Sequence, residues 1–385
     1  MPNEFDVIVV GGGLSGRALT LAAVAAGHRV AQIESPGSMA RSDEDPRTTA
    51  LLPETVDWFA SLGLGSTFEE VGAPLRSLEI RDLPRHAQAT RFAGHELGVD
   101  WLALNVPNGA LAQGLASAAG QRGASRREDT VVRIDAHEDR VSVRLAGALQ
   151  PLRARLVVLA TGDRSQLADD LGFRVRVRDW GRTALAFFAE ARERPQGVSI
   201  EGYGRGASMT LVPGRDRHVS VIWIDHPEVQ RTRLASGPGA LIRDASRFLG
   251  SPYGGLLETD GPLGRFDVVR TRATRLARGR VLVAGEAAHR LPPLGAQGFN
   301  LSARDAKVLA DLLAQTTDPG VIAGLYERHR LPDLYTTVAA VDALAAFAVA
   351  PARPIHALRT VGLQAMARWK AVRTATTGVG LLRRA

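Results

Sequence analysis

The chain has 385 residues, 45% of them apolar, which suits a globular protein of two or three domains with a large core. It contains no cysteine, so disulfides, thiolate nucleophiles and cysteine-based metal sites are excluded, as fits a cytoplasmic protein. Of the net charge of +8, seven charges lie in residues 351–385 as Arg353, Arg359, Arg368, Lys370, Arg373, Arg383 and Arg384, with no acid among them. The body is therefore close to neutral and offers no basic, aromatic-studded face for nucleic acid. No uninterrupted apolar run reaches the ~20 residues of a spanning helix. Leu334–Ala350 comes nearest, and Asp342 interrupts it. A strand is expected from the fifth residue, which leaves no room for a signal peptide.

Phe5–Val10 is a short apolar run, long enough for a buried strand, and Gly11-Gly12-Gly13-Leu14-Ser15-Gly16 follows as G-x-G-x-x-G. Leu19, Ala22, Ala23 and Ala26 then recur at helical spacing, and Gly27 stops the helix. A second strand, Val30–Ile33, ends on Glu34. The chemistry follows from this order. Gly11 permits the tight turn, and Gly13, with Leu14 and Ser15, opens backbone N–H groups to a pyrophosphate at a helix N-terminus. Gly16 lets the helix sit on the strand, and Glu34 is placed to accept from a ribose. This predicts a dinucleotide site.

Further along, a helical pattern (Thr55, Val56, Phe59, Leu62) stops at Gly63. Residues 72–98 hold short β-like runs, Ser77–Arg81 and Gln88–Phe92, that leave the nucleotide domain. Asn105–Ala119 reads as a helix entered through Pro107-Asn108, and Thr130–Ile134 with Arg140–Leu145 as a hairpin. Leu156–Ala160 is a continuous apolar run ending at Thr161-Gly162, which predicts a parallel strand returning to the first sheet. Leu185–Ala189, Ala207–Val212 and Val219–Ile224 are separated by turn signals and predict an inserted antiparallel sheet, with Trp223 in its core. Val281–Ala284 is another buried strand, a helix is expected from about Leu301 to Leu313, and residues from 321 on read as mostly helical.

Val281–His289, then Pro292-Pro293-Leu294-Gly295-Ala296-Gln297-Gly298-Phe299-Asn300-Leu301 with Arg304-Asp305 behind, resembles the second FAD motif of the flavoprotein aromatic hydroxylases, the p-hydroxybenzoate hydroxylase fold. The ubiquinone-biosynthesis branch is the nearer likeness. Asp45-Pro46-Arg47-Thr48-Thr49-Ala50-Leu51 matches that branch's D-x-R-x-x-A-L, and Pro195–Glu201, Leu211–Pro213 and Val221–Trp223 resemble its substrate sheet. The similarity covers nearly the whole chain.

The resemblance implies an α/β fold: a Rossmann-like FAD-binding domain (1–71, 99–182 and 266–330), an inserted antiparallel-sheet substrate domain (72–98 and 183–265), and a C-terminal helical region (331–385). It implies non-covalent FAD held by Gly11, Gly13, Leu14, Ser15, Gly16, Glu34, Arg47, Gly162, Gly285, Glu286, Pro293, Gly298, Phe299 and Asn300. Pro293, Gly295, Gln297 and Gly298 would lie against the isoalloxazine where the chemistry occurs. His289 is expected to orient this loop and Asp305 to be a structural helix residue. NAD(P)H would reduce the flavin, and a C4a-hydroperoxide formed with O2 would oxygenate an aromatic, prenylated phenol or quinol. No metal is required, and no phenol-activating residue can be named. Residues 353–385, apolar at helical spacing between Ile355 and Val372, read either as a basic helix on the anionic inner face of the cytoplasmic membrane or as a terminal helix packed on the body with a solvated basic edge.

Four departures stand against the family pattern. Glu286 replaces an aspartate, Ala296 and Ser302 replace glycines, and Ala160-Thr161-Gly162-Asp163-Arg164-Ser165 stands where a D-G motif is expected. They leave two other readings open: a related flavoprotein oxidoreductase with another aromatic or prenyl substrate, or a non-catalytic flavin-binding assembly subunit.

Overall fold

A computed structural model describes residues 3–38, 45, 47–83, 89–162, 166–204, 206–257 and 261–349. The expected helix between Ile355 and Val372, Pro46, Gln88 and Asp163–Ser165 lie outside the described residues. Glu4–Val10 is the first strand and the centre of the nucleotide sheet. Parallel neighbours flank it, Val30–Glu34 on one side and Leu152–Leu159 on the other, with Val9 beside Gln32 and Val158. Val281–Val283 continues the sheet in parallel beyond Leu152–Leu159, and Ser125–Glu128 beyond Val30–Glu34. Strands covered on both faces need apolar side chains on both, so these runs do not alternate. The helix Leu14–Ala25 ends where Gly27, at φ +87°, turns left-handed. There the Gly27 N–H donates to Val24 and the His28 N–H to Ala23, a Schellman closure.

A three-stranded sheet of Thr48–Leu51, Ala103–Pro107 and Ala73–Leu75 joins this core. It corrects one expectation. Asn105–Pro107 is strand and the helix begins only at Asn108, because the ladder to Thr48–Leu51 runs through Pro107. A helix at Gly65–Val71, not anticipated, follows Pro53–Ser61.

The second sheet has nine strands. It is antiparallel except where Ser77–Asp82 lies parallel to Val198–Tyr203. Its longest strand, Val175–Ala191, pairs with Gly264–Ala273 on one side and His218–Asp225 on the other. The expected break at 265/266 falls inside a continuous ladder, with Leu185 beside Arg265 and Ala184 beside Phe266, while that at 182/183 lies at an irregularity of the ladder between Asp179 and Thr183. One face carries Leu185, Phe187, Ile200, Leu211, Val221 and Trp223 and is covered by Pro238–Phe248. Trp223 is sheet core, packed on Phe248 at 5.4 Å. The other face turns Ser199, Glu201, Thr210 and Ile222 toward the nucleotide domain and its cavity.

The helix Gln297–Gln315 starts four residues before the expected Leu301, and the long helix Pro319–Val349 follows it. No helix among the described residues is long and apolar enough to cross a membrane.

Candidate active site

The glycines after the first strand fall into two classes when a Cβ is imagined on each. At Gly11 it would lie 2.2 Å from the Ala160 carbonyl oxygen, and at Gly16 2.2 Å from that of Gly11. These two are glycine because backbone approaches backbone. At Gly13, whose φ of −75° any residue adopts, a Cβ would meet nothing within 4 Å. Gly13 instead borders the cavity at the N-terminus of Leu14–Ala25, where the helix presents N–H groups and the positive end of its dipole.

Glu34 departs from the expected open ribose acceptor. Its carboxylate is buried, 2.7 Å from Arg126 Nε and 3.8 Å from Arg17 Nη2, with the Ser38 hydroxyl donating at 3.3 Å. It sits against Gly12, 2.6 Å from where a Cβ there would lie, and so supports the turn from behind.

On the far side, Val281–Val283 delivers Gly285, held at φ +57° against Ser15. Asp305, buried in the following helix, locks this segment. Its Oδ2 accepts the Gly285 N–H at 2.9 Å and His289 Nε2–H at 2.7 Å, and its Oδ1 accepts Arg330 Nε–H at 2.7 Å. Burial alone would raise the Asp305 pKa. The Arg330 charge, His289 and the Gly285 N–H outweigh it and hold the carboxyl well below the usual carboxylate range. His289 thus orients the loop, as expected of it.

The loop from Pro292 ends at Ala296, whose left-handed φ of +56° sets the entry to the helix. Gln297, Gly298 and Phe299 form its first turn and line the cavity, so the helix dipole points into it. Asn300 corrects another expectation, for its side chain does not line the cavity. Its Oδ1 accepts the Leu52 N–H at 2.9 Å, and its Nδ2 donates to Ala50 and Ala296 carbonyls at 2.8 and 2.6 Å. Ser302, in place of a family glycine, accepts the Ser15 hydroxyl at 3.0 Å and ties the two cradle helices together.

Arg47 stands at the cavity wall, half-exposed, with Nε and Nη2 forked onto Asp45 at 2.8 and 2.7 Å. Asn108 Nδ2 donates to the same carboxylate at 2.9 Å, and the Thr49 hydroxyl donates to Asn108 Oδ1 at 2.7 Å. Asp45 raises the guanidinium pKa, burial opposes it, and the Glu286 charge adds to the rise. Arg47 also lies 5.8 Å over the Phe266 ring, on the opposite wall.

These groups border one cavity of about 1120 Å³ between the two sheets. Of the expected residues, Gly11, Gly13, Leu14, Ser15, Arg47, Gly162, Glu286, Pro293, Gly295, Gln297, Gly298 and Phe299 line it. Gly16, Glu34, Gly285 and Asn300 do not, and act by packing behind it. The wall also carries Asn108, Arg265 and Glu201, none of which sequence reasoning singled out for a role. Glu201 does lie in a segment that resembles the family's substrate sheet, which was the available signal.

The model for the family described as FAD binding domain matches residues 4–332. The chain belongs to this family. It is 28% identical over 380 residues to the ubiquinone hydroxylase UbiL of Rhodospirillum rubrum, covering 94% of this chain and 86% of that protein. It is 25% identical over 375 residues to the 3-demethoxyubiquinol 3-hydroxylase of Escherichia coli, covering 94% and 95%. The crystal structure of Klebsiella pneumoniae HpxO complexed with FAD and uric acid shares the fold, with a TM-score of 0.80 over 98% of this chain and 96% of that one, at 21% identity. The chain is a flavoprotein monooxygenase that takes FAD, with NAD(P)H as the family's electron donor.

The residues present fit that cofactor. Gly13 and Gly298 each leave open space where a side chain would stand, and the buried Thr161 hydroxyl on the wall has no hydrogen-bond partner among the described residues. The N–H groups at Gly13–Ser15 would hold the pyrophosphate and Glu286 ribityl hydroxyls. Gly295–Phe299 would lie along the ring, with the helix dipole stabilising negative charge on it.

Two outcomes follow. Gly13→Val is expected to fold normally yet bind FAD more than about 100-fold more weakly, about 2.7 kcal/mol. Gly16→Val is expected to fail to fold, because its Cβ has no room. Circular dichroism and flavin titration separate the two. Asp305→Asn removes one of the two carboxylates that neutralise the buried Arg330 and should cost roughly 3–5 kcal/mol in urea unfolding. The depressed Asp305 pKa adds stability that is complete above the unfolded carboxyl pKa, about 3.9, and is lost as pH falls toward the folded value. Wild-type stability should therefore fall on acidification below about pH 4, and that of the Asp305→Asn variant should fall less steeply.

Proposed function

We propose that the chain hydroxylates a polyprenylated phenol or quinol of ubiquinone biosynthesis, working at the inner face of the cytoplasmic membrane. The continuous cavity carries this reading. At about 1120 Å³ it exceeds the ~1,000 Å³ upper range of ordinary small-molecule sites, leaving room for a substrate beside the cofactor. Beyond the loop its lining includes Leu75, Leu78, Leu102, Val212 and Ile222, against which an aromatic ring bearing a hydrocarbon chain can pack. The names of the Rhodospirillum rubrum and Escherichia coli relatives support the same substrate class.

When bound, FAD would supply the redox chemistry, hydride acceptance from NAD(P)H and activation of O2 for transfer of one oxygen atom to the ring. The protein's own part is to position and to dry. Gly295–Gly298 keep backbone rather than side chain beside the ring system, so substrate approaches closely. The apolar wall excludes water, which would otherwise discharge the activated oxygen as peroxide. Arg47, fixed by Asp45, offers a positive edge at the cavity wall to an anionic nucleotide.

The seven cations and absent acids of residues 351–385 support a reversible contact with anionic lipid, each cation near the surface being worth roughly 1 kcal/mol. Full-length, flavin-loaded protein is expected to sediment with anionic vesicles at low salt and to hydroxylate a polyprenylated phenol presented in them. Raised salt should weaken both effects, and truncation after Ala350 should abolish sedimentation while sparing turnover of a short-chain, water-soluble phenol. Full-length protein that ignores anionic vesicles at low salt would make the tail a packing element and a water-soluble aromatic the substrate.

A further inference from the structure

We infer that Glu201 is the proton acceptor that ionises the substrate's phenolic hydroxyl. This rests on the phenol hydroxylation proposed above and names the group that carries it out. Glu201 lies on Val198–Tyr203, beside Thr210 and Ile80, on the face of the second sheet turned to the cavity. It is only 6% exposed, and among the described residues the Tyr203 hydroxyl is the one side-chain group that hydrogen-bonds its carboxylate. A carboxylate has about four lone-pair sites, so one buried at the cavity wall with so few donors keeps capacity to accept from a ligand hydroxyl. The site is close to the cofactor loop: Tyr203, two residues along on the same face, is buried in the cluster that includes Leu294, next to Pro293.

The chemistry is a simple transfer. The phenol O–H bond breaks, an H–Oε1 bond forms, and the electron pair stays on the phenol oxygen. Delocalised into the ring, that pair raises electron density at the ortho and para carbons, where an electrophilic oxygen attacks. The proton is released to solvent as product leaves. No other electron donor or acceptor is needed for this step.

The surroundings set its working range. Burial raises the Glu201 pKa to about 6, while the neighbouring Tyr203 hydroxyl works the other way. On its own strand the titratable neighbour is Tyr203, and on Ser77–Asp82 it is Asp82, in register with Tyr203. Ser208–Pro213 contributes none. Across the cavity stand Asp45 and Arg47 on one wall, Glu286, His289 and Arg290 on the loop, and Arg265 and Asp267 on the last long strand. None of these makes a charge contribution to the Glu201 pKa, so the group is tuned by desolvation. A base with a pKa near 6 is charged above that pH and close enough to neutrality to work as a proton acceptor.

The test is Glu201→Gln in the full-length, FAD-loaded protein, with Glu201→Asp as the conservative partner and a polyprenylated phenol as substrate. Glu201→Gln should keep FAD binding and NAD(P)H-driven flavin reduction. Its hydroxylation kcat should fall about 100-fold or more, with KM changed less than about threefold, and peroxide release should rise. The acid limb of the wild-type kcat profile, near pH 6, should vanish, and Glu201→Asp should regain part of the rate. Undiminished hydroxylation by Glu201→Gln, with the same pH profile, would overturn the assignment while leaving phenol hydroxylation standing. A wild-type protein that reduces its flavin but hydroxylates no phenol would overturn the substrate reading, and this assignment with it.

Discussion

Asp305 is the constraint on which the geometry of the site depends. One buried carboxylate holds the N–H of Gly285, the ring of His289 and the guanidinium of Arg330. It thereby joins the end of the nucleotide sheet, the cofactor loop and both C-terminal helices. An isolated charge at this depth would be expensive, so each of its bonds is an obligation as well as a gain. Arg330 extends the network to Asp333 and to the Leu301 carbonyl, and Arg304 meets the same Asp333 at 2.8 Å. The loop that would lie along the flavin is thus fixed from behind. Its front remains backbone and open space.

The cradle was legible in the sequence because its chemistry is steric. Gly11 and Gly16 tolerate nothing larger, Gly13 must leave room, and the apolar strands on either side can only be buried parallel neighbours. These requirements are local, so a run of thirty-four residues displays them. Two of the departures from the family pattern, Ser302 and Glu286, have defined places in the site. Ser302 bonds to Ser15, and Glu286 lies on the cavity wall within electrostatic reach of Arg47.

What escaped sequence reading depended on distant partners. Glu34 is answered by Arg126, nearly a hundred residues on, and so turns from an open acceptor into a buried support. Asn300 braces Ala50 and Leu52, about 250 residues away. Strand alternation groups Ser199, Glu201 and Tyr203 on one face, but only the packing of the other face against Pro238–Phe248 decides that this one meets the cavity. One expected break, at 265/266, falls inside a strand for the same reason. Turn residues mark the ends of strands, whereas the ladders between Val175–Ala191 and Gly264–Ala273 run past them.

The central claim is that this chain is a monooxygenase in which a dry, backbone-lined chamber couples flavin oxidation to oxygen transfer. Isotope labelling tests it most directly. The flavin-loaded protein would be reduced anaerobically with NADH or NADPH, then mixed with 18O-labelled O2 and a candidate phenol. The account predicts one labelled oxygen per product molecule, the other recovered as water, and little free peroxide. Flavin reoxidation that yields only hydrogen peroxide, or a product whose new oxygen comes from water, would contradict it.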